Sequence, residues 1–147
     1  MTEPDTATRA DLAARLRLSV TRTARRLRQE AGTDLSPSMQ SALATIECRG
    51  PLTPSELADA ERIQRPTATR VVARLEADGL VERTGDPADR RVALLSVTRP
   101  GRDLLGRLRK RKNAYLARRL RDMPAEDLAA LERAADVLER MLEDERR

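Results

Sequence analysis

The chain has 147 residues, 36% of them charged, with no His, Trp or Phe, one Tyr and one Cys, and a formal net charge of +5. Without His and with a single Cys, a zinc site of the usual nitrogen and sulfur ligands is not expected, and Ser–His or Cys–His catalysis is excluded. No run of about 18 apolar residues is present, so nothing is expected to span a membrane. The N-terminal MTEPDTATRAD lacks the basic and apolar regions of a secretion signal, and Cys48 has no partner for an internal disulfide. Both features fit a cytoplasmic location.

The distribution of charge is more informative than its sum. Residues 62–121 hold 17 Lys/Arg against 6 Asp/Glu, a net of +11, and the remainder carries −6. A basic middle between acidic or neutral ends is the footprint of a phosphate-binding region, although a solvated helix face has the same composition. Leu, Ala, Arg and Glu dominate, which favours helices and an aliphatic core. So small a core in so charged a chain favours burial against a second copy.

In chain order, residues 9–31 read as a long helix with Leu12, Leu16, Val20 and Leu27 near one face, stopped by Gly32. Residues 35–50 form a second helix, with Ser36 as N-cap, Pro37 at the first helical position and Gly50 after its end. Thr53, Pro54 and Glu56 make a capping box that starts a short helix over 54–60. A fourth helix covers 65–78 and stops at Gly79. Its buried stripe is Ala68, Val71, Val72 and Leu75, whereas Thr67, Arg70 and Arg74 share the opposite face, with Arg65 and Thr69 close to it.

Leu80–Thr84 and Val92–Val97 are strand-like and flank the polar finger Gly85–Arg91. Residues 99–122 return to helix, extremely basic, with Leu104, Leu105, Leu108 and Leu116 among the apolar positions. After Met123-Pro124 an acidic helix carries Leu128, Leu131, Ala135, Leu138 and Leu142 near a heptad seam. The first and last helices are candidates for mutual packing. The acidic last helix can also pair with its basic predecessor, within a chain or across a dimer.

The helices at 54–60 and 65–78, joined by a short turn, suit a helix-turn-helix whose second helix enters the DNA major groove. A hairpin immediately after that helix forms a wing beside the next stretch of duplex, where an Arg at the tip reaches the minor groove. Asp89 is placed to hold Arg91 or a neighbouring wing residue by charge-assisted hydrogen bonding.

The stretch QRPTATRVVARLEADGLVERTGDPADRRVALLSVTRPGRDLL resembles the recognition helix, wing and linker helix of the MarR family of winged helix-turn-helix regulators. The resemblance rests on Asp89-Arg90-Arg91 in the wing, on LEADGLVER before it, and on Thr98 before a Pro-Gly helix start. It is strongest over residues 35–105. It implies a mainly α fold with a small β-hairpin wing, divided into an N-terminal dimerisation helix (1–34), a winged helix-turn-helix region (35–98), and a linker plus C-terminal dimerisation helix (99–147).

The resemblance further implies a sequence-specific homodimeric repressor on a pseudo-palindromic operator in double-stranded DNA. Gln64, Arg65, Thr67, Thr69, Arg70 and Arg74 fall where the family's recognition helix faces the major groove, and Asp89, Arg90 and Arg91 fall on its wing. Family members are often released by small effectors, frequently aromatic acids. Tyr115 alone is available to line an aromatic pocket here, so a small anionic or aliphatic effector, or none, is equally open. Other readings are a non-specific architectural DNA-binding protein and a thiol-based redox sensor using Cys48, which lies next to Arg49. Catalysis is not expected, since no phosphate-binding Gly loop or base-paired nucleophile is present, and no cofactor is called for.

Overall fold

A computed structural model of the chain describes residues 6–144. Six helices and one hairpin follow in the order α1 (Thr6–Ala31), α2 (Pro37–Arg49), α3 (Pro54–Glu61), α4 (Arg65–Ala77), β1 (Val81–Gly85), β2 (Ala93–Val97), α5 (Arg99–Leu120) and α6 (Ala125–Asp144). Each expected element is present, with ends shifted by three residues or fewer. The chain divides into two compact units, Met1–Lys112 and Asn113–Arg147.

The expected start signals act as written. Ser36 Oγ accepts from the Met39 N–H at the head of α2, with Pro37 in the first turn. At α3, Thr53 Oγ1 accepts from Glu56 N–H while the Glu56 carboxylate accepts from Thr53 N–H at 2.7 Å, so both halves of the capping box form.

The ends of α3 and α4 share one device. At each, a left-handed residue reverses the chain and the following N–H reaches back five residues. Ile63 N–H donates to Ala58 O and Leu80 N–H to Leu75 O, the six-to-one bond of a Schellman stop. Gly79 adopts this conformation, at φ +71°, without steric cost. At the other end the left-handed residue is Arg62, at φ 52°, so the helix-turn-helix bend accepts a cost of roughly 1–2 kcal/mol.

Within the first unit, the core draws on Leu43 and Ile46 of α2, Leu57 of α3, Val72 and Leu75 of α4, Leu95 of β2 and Leu105 of α5, all buried and all aliphatic. The stripe expected on α4 is present: Ala68, Val72 and Leu75 are buried and Val71 is half-buried. Glu61 fixes α3 to α2 by accepting from both Ser41 Oγ and Thr45 Oγ1, which are one turn apart.

Strands β1 and β2 pair antiparallel from Val81 opposite Val97 to Gly85 opposite Ala93. A third, single-residue rung was not legible in the sequence: Leu52 and Leu95 exchange both backbone hydrogen bonds, at 3.2 and 2.7 Å. The linker before α3 thereby holds the middle of β2.

Helix α5 is seated in this unit by two arginines. Arg109 grips the Glu47 carboxylate of α2 with both terminal nitrogens, at 2.7 and 3.2 Å. Arg111 Nη1 donates to the last carbonyl of α1, Ala31 O, at 2.8 Å and to the next one, Gly32 O, at 3.3 Å. The hydrogen bond from Arg109 outweighs the opposing effect of burial and, with the charges of Arg109 and Arg102, holds the Glu47 carboxyl below the ordinary value of 4.5.

A depressed folded-state pKa means that the unfolded chain binds more protons as pH falls through this range. The pair's stabilisation is therefore present above about pH 4.5 and lost below it. The Glu47→Gln variant should melt at lower temperature than the wild type at pH 7, with the gap closing as the pH falls below 4.5 in parallel thermal scans.

Helix α1 leaves Leu12, Leu16, Leu18 and Val20 exposed. In the second unit, α6 likewise leaves Leu128, Leu131, Val137, Met141 and Leu142 exposed, close to the expected seam.

Candidate nucleic-acid interface

Helix α4 is built to be held from behind. Ala68, Val72 and Leu75 lock one side into the core, so the opposite side has to project. On that side Thr67, Arg70 and Arg74 line one open groove with Ser36, Ser38 and Met39 from the head of α2. Three of the sequence-derived site residues thus come together, and the start of α2 joins them. In the sequence Ser36 read only as a helix cap, and neither serine was placed in the site. The head of a helix also offers unpaired backbone N–H groups and a positive dipole end, which suit an anion.

The other α4 residues serve the head of the helix. Gln64 is the N-cap residue and makes no side-chain cap bond, so its amide remains available to a partner. Arg65 takes the first helical position and is exposed. The Thr69 hydroxyl donates to Arg65 O at 3.0 Å, which leaves its oxygen as an acceptor and its methyl as an apolar contact.

The last turn of α4 holds two ion pairs. Arg74 Nε lies 3.3 Å from Asp78 Oδ2, and Arg83 Nε of β1 lies 2.8 Å from Glu76 Oε1. The second pair joins the wing to the helix. Neither acid was picked out in the sequence, where the i, i+4 spacing of Arg74 and Asp78 was the available signal.

The wing tip is stiffened by its aspartates. Asp86 Oδ1 accepts from Ala88 N–H at 2.9 Å and Asp89 Oδ1 from Arg91 N–H at 3.0 Å. Asp86 N–H and Val92 O close the loop at 2.9 Å, and Val92 N–H donates to Asp89 O. Asp89 therefore fixes the backbone of Arg91 rather than its guanidinium, as expected of an Asx turn. Arg90 and Arg91 are both exposed on the folded tip.

The base of the wing and the head of α5 meet at Thr98. Its hydroxyl donates to Gly79 O at 2.6 Å and accepts from Gly101 N–H at 3.2 Å, while its own N–H donates to Leu80 O at 3.0 Å. One residue thus links the end of α4, the start of β1 and the first turn of α5. Cys48 is exposed in the last turn of α2. Among the described residues no cluster of three or more His, Cys, Asp or Glu suits a metal ion, and no helix is long and apolar enough to cross a membrane.

A short helix, a turn, a helix with a projecting basic face, and a braced hairpin carrying arginines define a winged helix-turn-helix protein of the DNA-binding class. Known proteins share this architecture. The MarR family model matches residues 35–93. An HTH-type transcriptional regulator of Mycobacterium leprae is 36% identical over 136 residues, 92% of this chain and 95% of the relative. One of Mycobacterium bovis is 38% identical over 130 residues, 88% and 91%. A crystal structure from Pseudomonas aeruginosa PA01 superimposes with a TM-score of 0.83 at 33% identity, covering 95% of this chain and 98% of that one. Streptococcus pneumoniae FabT, solved in complex with DNA, shares the fold with a TM-score of 0.69 at 22% identity over 95% and 99%.

The chain belongs to the MarR family of DNA-binding transcriptional regulators.

Proposed function

We propose that the protein is a sequence-specific repressor that binds a pseudo-palindromic operator as a homodimer and is released by a small ligand. The observation that carries this reading is the projecting stripe of Thr67, Arg70 and Arg74, fixed by a core on its other side, with exposed Arg90 and Arg91 on a braced wing. A helix so held matches the width of a major groove, and Arg and Thr are residues that read base edges there. Gln64, Arg65 and Thr69 surround the head of that helix and Asp89 shapes the wing. FabT, which has the same fold and was solved in complex with DNA, supports DNA as the partner.

In this reading residues 35–98 are the DNA-binding region, and 1–34 and 99–147 are the dimerisation segments. The uncovered leucines of α1 and α6 support the second assignment, because apolar stripes of that length in a soluble regulator call for a partner surface. Within the first unit, a cleft between α1 and α2 is lined by Leu27, Arg28, Pro37, Gln40, Ser41 and Lys112. Its two cations and lack of aromatic rings favour a small anionic effector.

Duplexes enriched from a random pool test the reading. Selection should return two half-sites about one helical turn apart. Arg70→Ala should then cost about 1–3 kcal/mol on the selected duplex and relax preference at one base pair. Arg91→Ala should weaken binding with less change of preference and flatten the salt dependence. Equal losses on selected and scrambled duplexes for both variants would favour architectural binding instead.

A further inference from the structure

Asp78 continues the projecting stripe of α4, since Thr67, Arg70, Arg74 and Asp78 follow at i, i+3, i+7 and i+11. A carboxylate is doubly unfavourable there. It faces the side offered to a polyanion, and it sits at the negative end of the helix dipole. Its contact in the structure is with Arg74, and the form of that contact matters. The bond uses Arg74 Nε, while Nη1 and Nη2 have no partner among the described residues and the side chain stays 70% exposed. An arginine tethered through Nε has its plane restrained and its two outer nitrogens directed away from the tether. Paired outward donors of this kind match the N7 and O6 acceptors of guanine. An untethered arginine has many rotamers in which to meet a phosphate.

We propose that Asp78 is a specificity-determining positioning residue, holding Arg74 so that its outer edge reads a guanine instead of a phosphate. The proposal rests on the reading of α4 as the groove-entering helix. The acid then lowers affinity for DNA in general and raises the preference for sites with a guanine opposite Arg74.

The test uses the full chain as wild type, Asp78→Asn, Arg74→Ala and the double variant. Each is titrated by fluorescence anisotropy against a duplex selected by the wild type and a scrambled duplex of equal composition. Asn keeps the size of the side chain and removes the charge. Asp78→Asn should bind the scrambled duplex about threefold tighter and the selected duplex about threefold weaker, lowering the ratio of the two affinities roughly tenfold. Reselection with this variant should lose a guanine at one position per half-site. In the Arg74→Ala background the same change should leave the ratio unaltered, and thermal unfolding should match the parent.

A ratio unchanged by Asp78→Asn overturns the proposal, and so does an equal fall in the Arg74→Ala background. Failure of the wild type to prefer any selected duplex refutes the reading of α4 itself, and that result is obtained before any variant is compared.

Discussion

Gly101→Ala should lower the stability of the protein by about 2–3 kcal/mol, although alanine is the better helix former and the site lies in the first turn of α5. A Cβ at Gly101 would stand 2.3 Å from Leu80 O, 2.7 Å from Val97 Cγ1 and 3.1 Å from Leu80 C. The first and last of these are backbone atoms, so no rotamer change relieves the clash. Leu80 O also accepts the Thr98 N–H, so displacing α5 strains the bond that joins it to the start of β1. Overpacking against backbone falls at the upper end of its usual range, about 2–3 kcal/mol, a strained hydrogen bond adds about 1, and helix propensity returns about 1.

For a chain of this size the melting temperature should fall by about 5–10 °C in circular dichroism scans. Gly106 on the same helix is the control, since a Cβ there meets nothing within 4 Å. Gly106→Ala should be neutral or stabilising by up to about 1 kcal/mol. A melting point for Gly101→Ala equal to that of Gly106→Ala would mean that α5 is not pressed onto the hairpin as described. The close approach has a functional side too. Thr98 and Gly101 connect the arm assigned to dimerisation with the end of α4, so loosening this joint should also reduce DNA affinity at temperatures well below the melt.

Gly101 illustrates what the sequence does and does not disclose. Its place in a Pro-Gly helix start was visible, but the reason for glycine was not, because Leu80 O is more than twenty residues away in the chain. Signals that act within a few residues were legible: the Ser36 cap, the Thr53 capping box, the left-handed Gly79 and the alternation of Ala68, Val72 and Leu75 with Thr67, Arg70 and Arg74. The left-handed Arg62 was hidden, since nothing in an arginine announces positive φ. The single rung at Leu52 was hidden as well, because one residue has no periodicity. At the interface the positive groups stood out, whereas Asp78 and Glu76, which hold Arg74 and Arg83, read as ordinary helix charges until the pairs were seen in space.

Affinity for a selected duplex should fall about a thousandfold between 50 and 200 mM salt. Arg65 at the head of α4 and Arg90 and Arg91 on the wing are exposed and placed to meet phosphates in the proposed pose. Three cations in each of two protomers displace about six counterions, and each contributes about −0.9 to the slope of log affinity against log salt. The expected slope is therefore about −5 for a dimer. A single protomer on one half-site should give about half that slope and only a roughly fortyfold loss over the same range. Anisotropy titrations at four salt concentrations distinguish these cases whatever the register of the operator. Arg91→Ala, which removes one cation per protomer, should reduce the slope by about 2 when the dimer binds and by about 1 when a monomer does. A slope near zero would mean that binding does not run through the basic face, and would count against both the wing and α4 as DNA contacts. A slope near −5 that drops by 2 would join two conclusions that rest on separate features: the arginines of the wing meet phosphate, and the uncovered leucines of α1 and α6 are closed by a second copy.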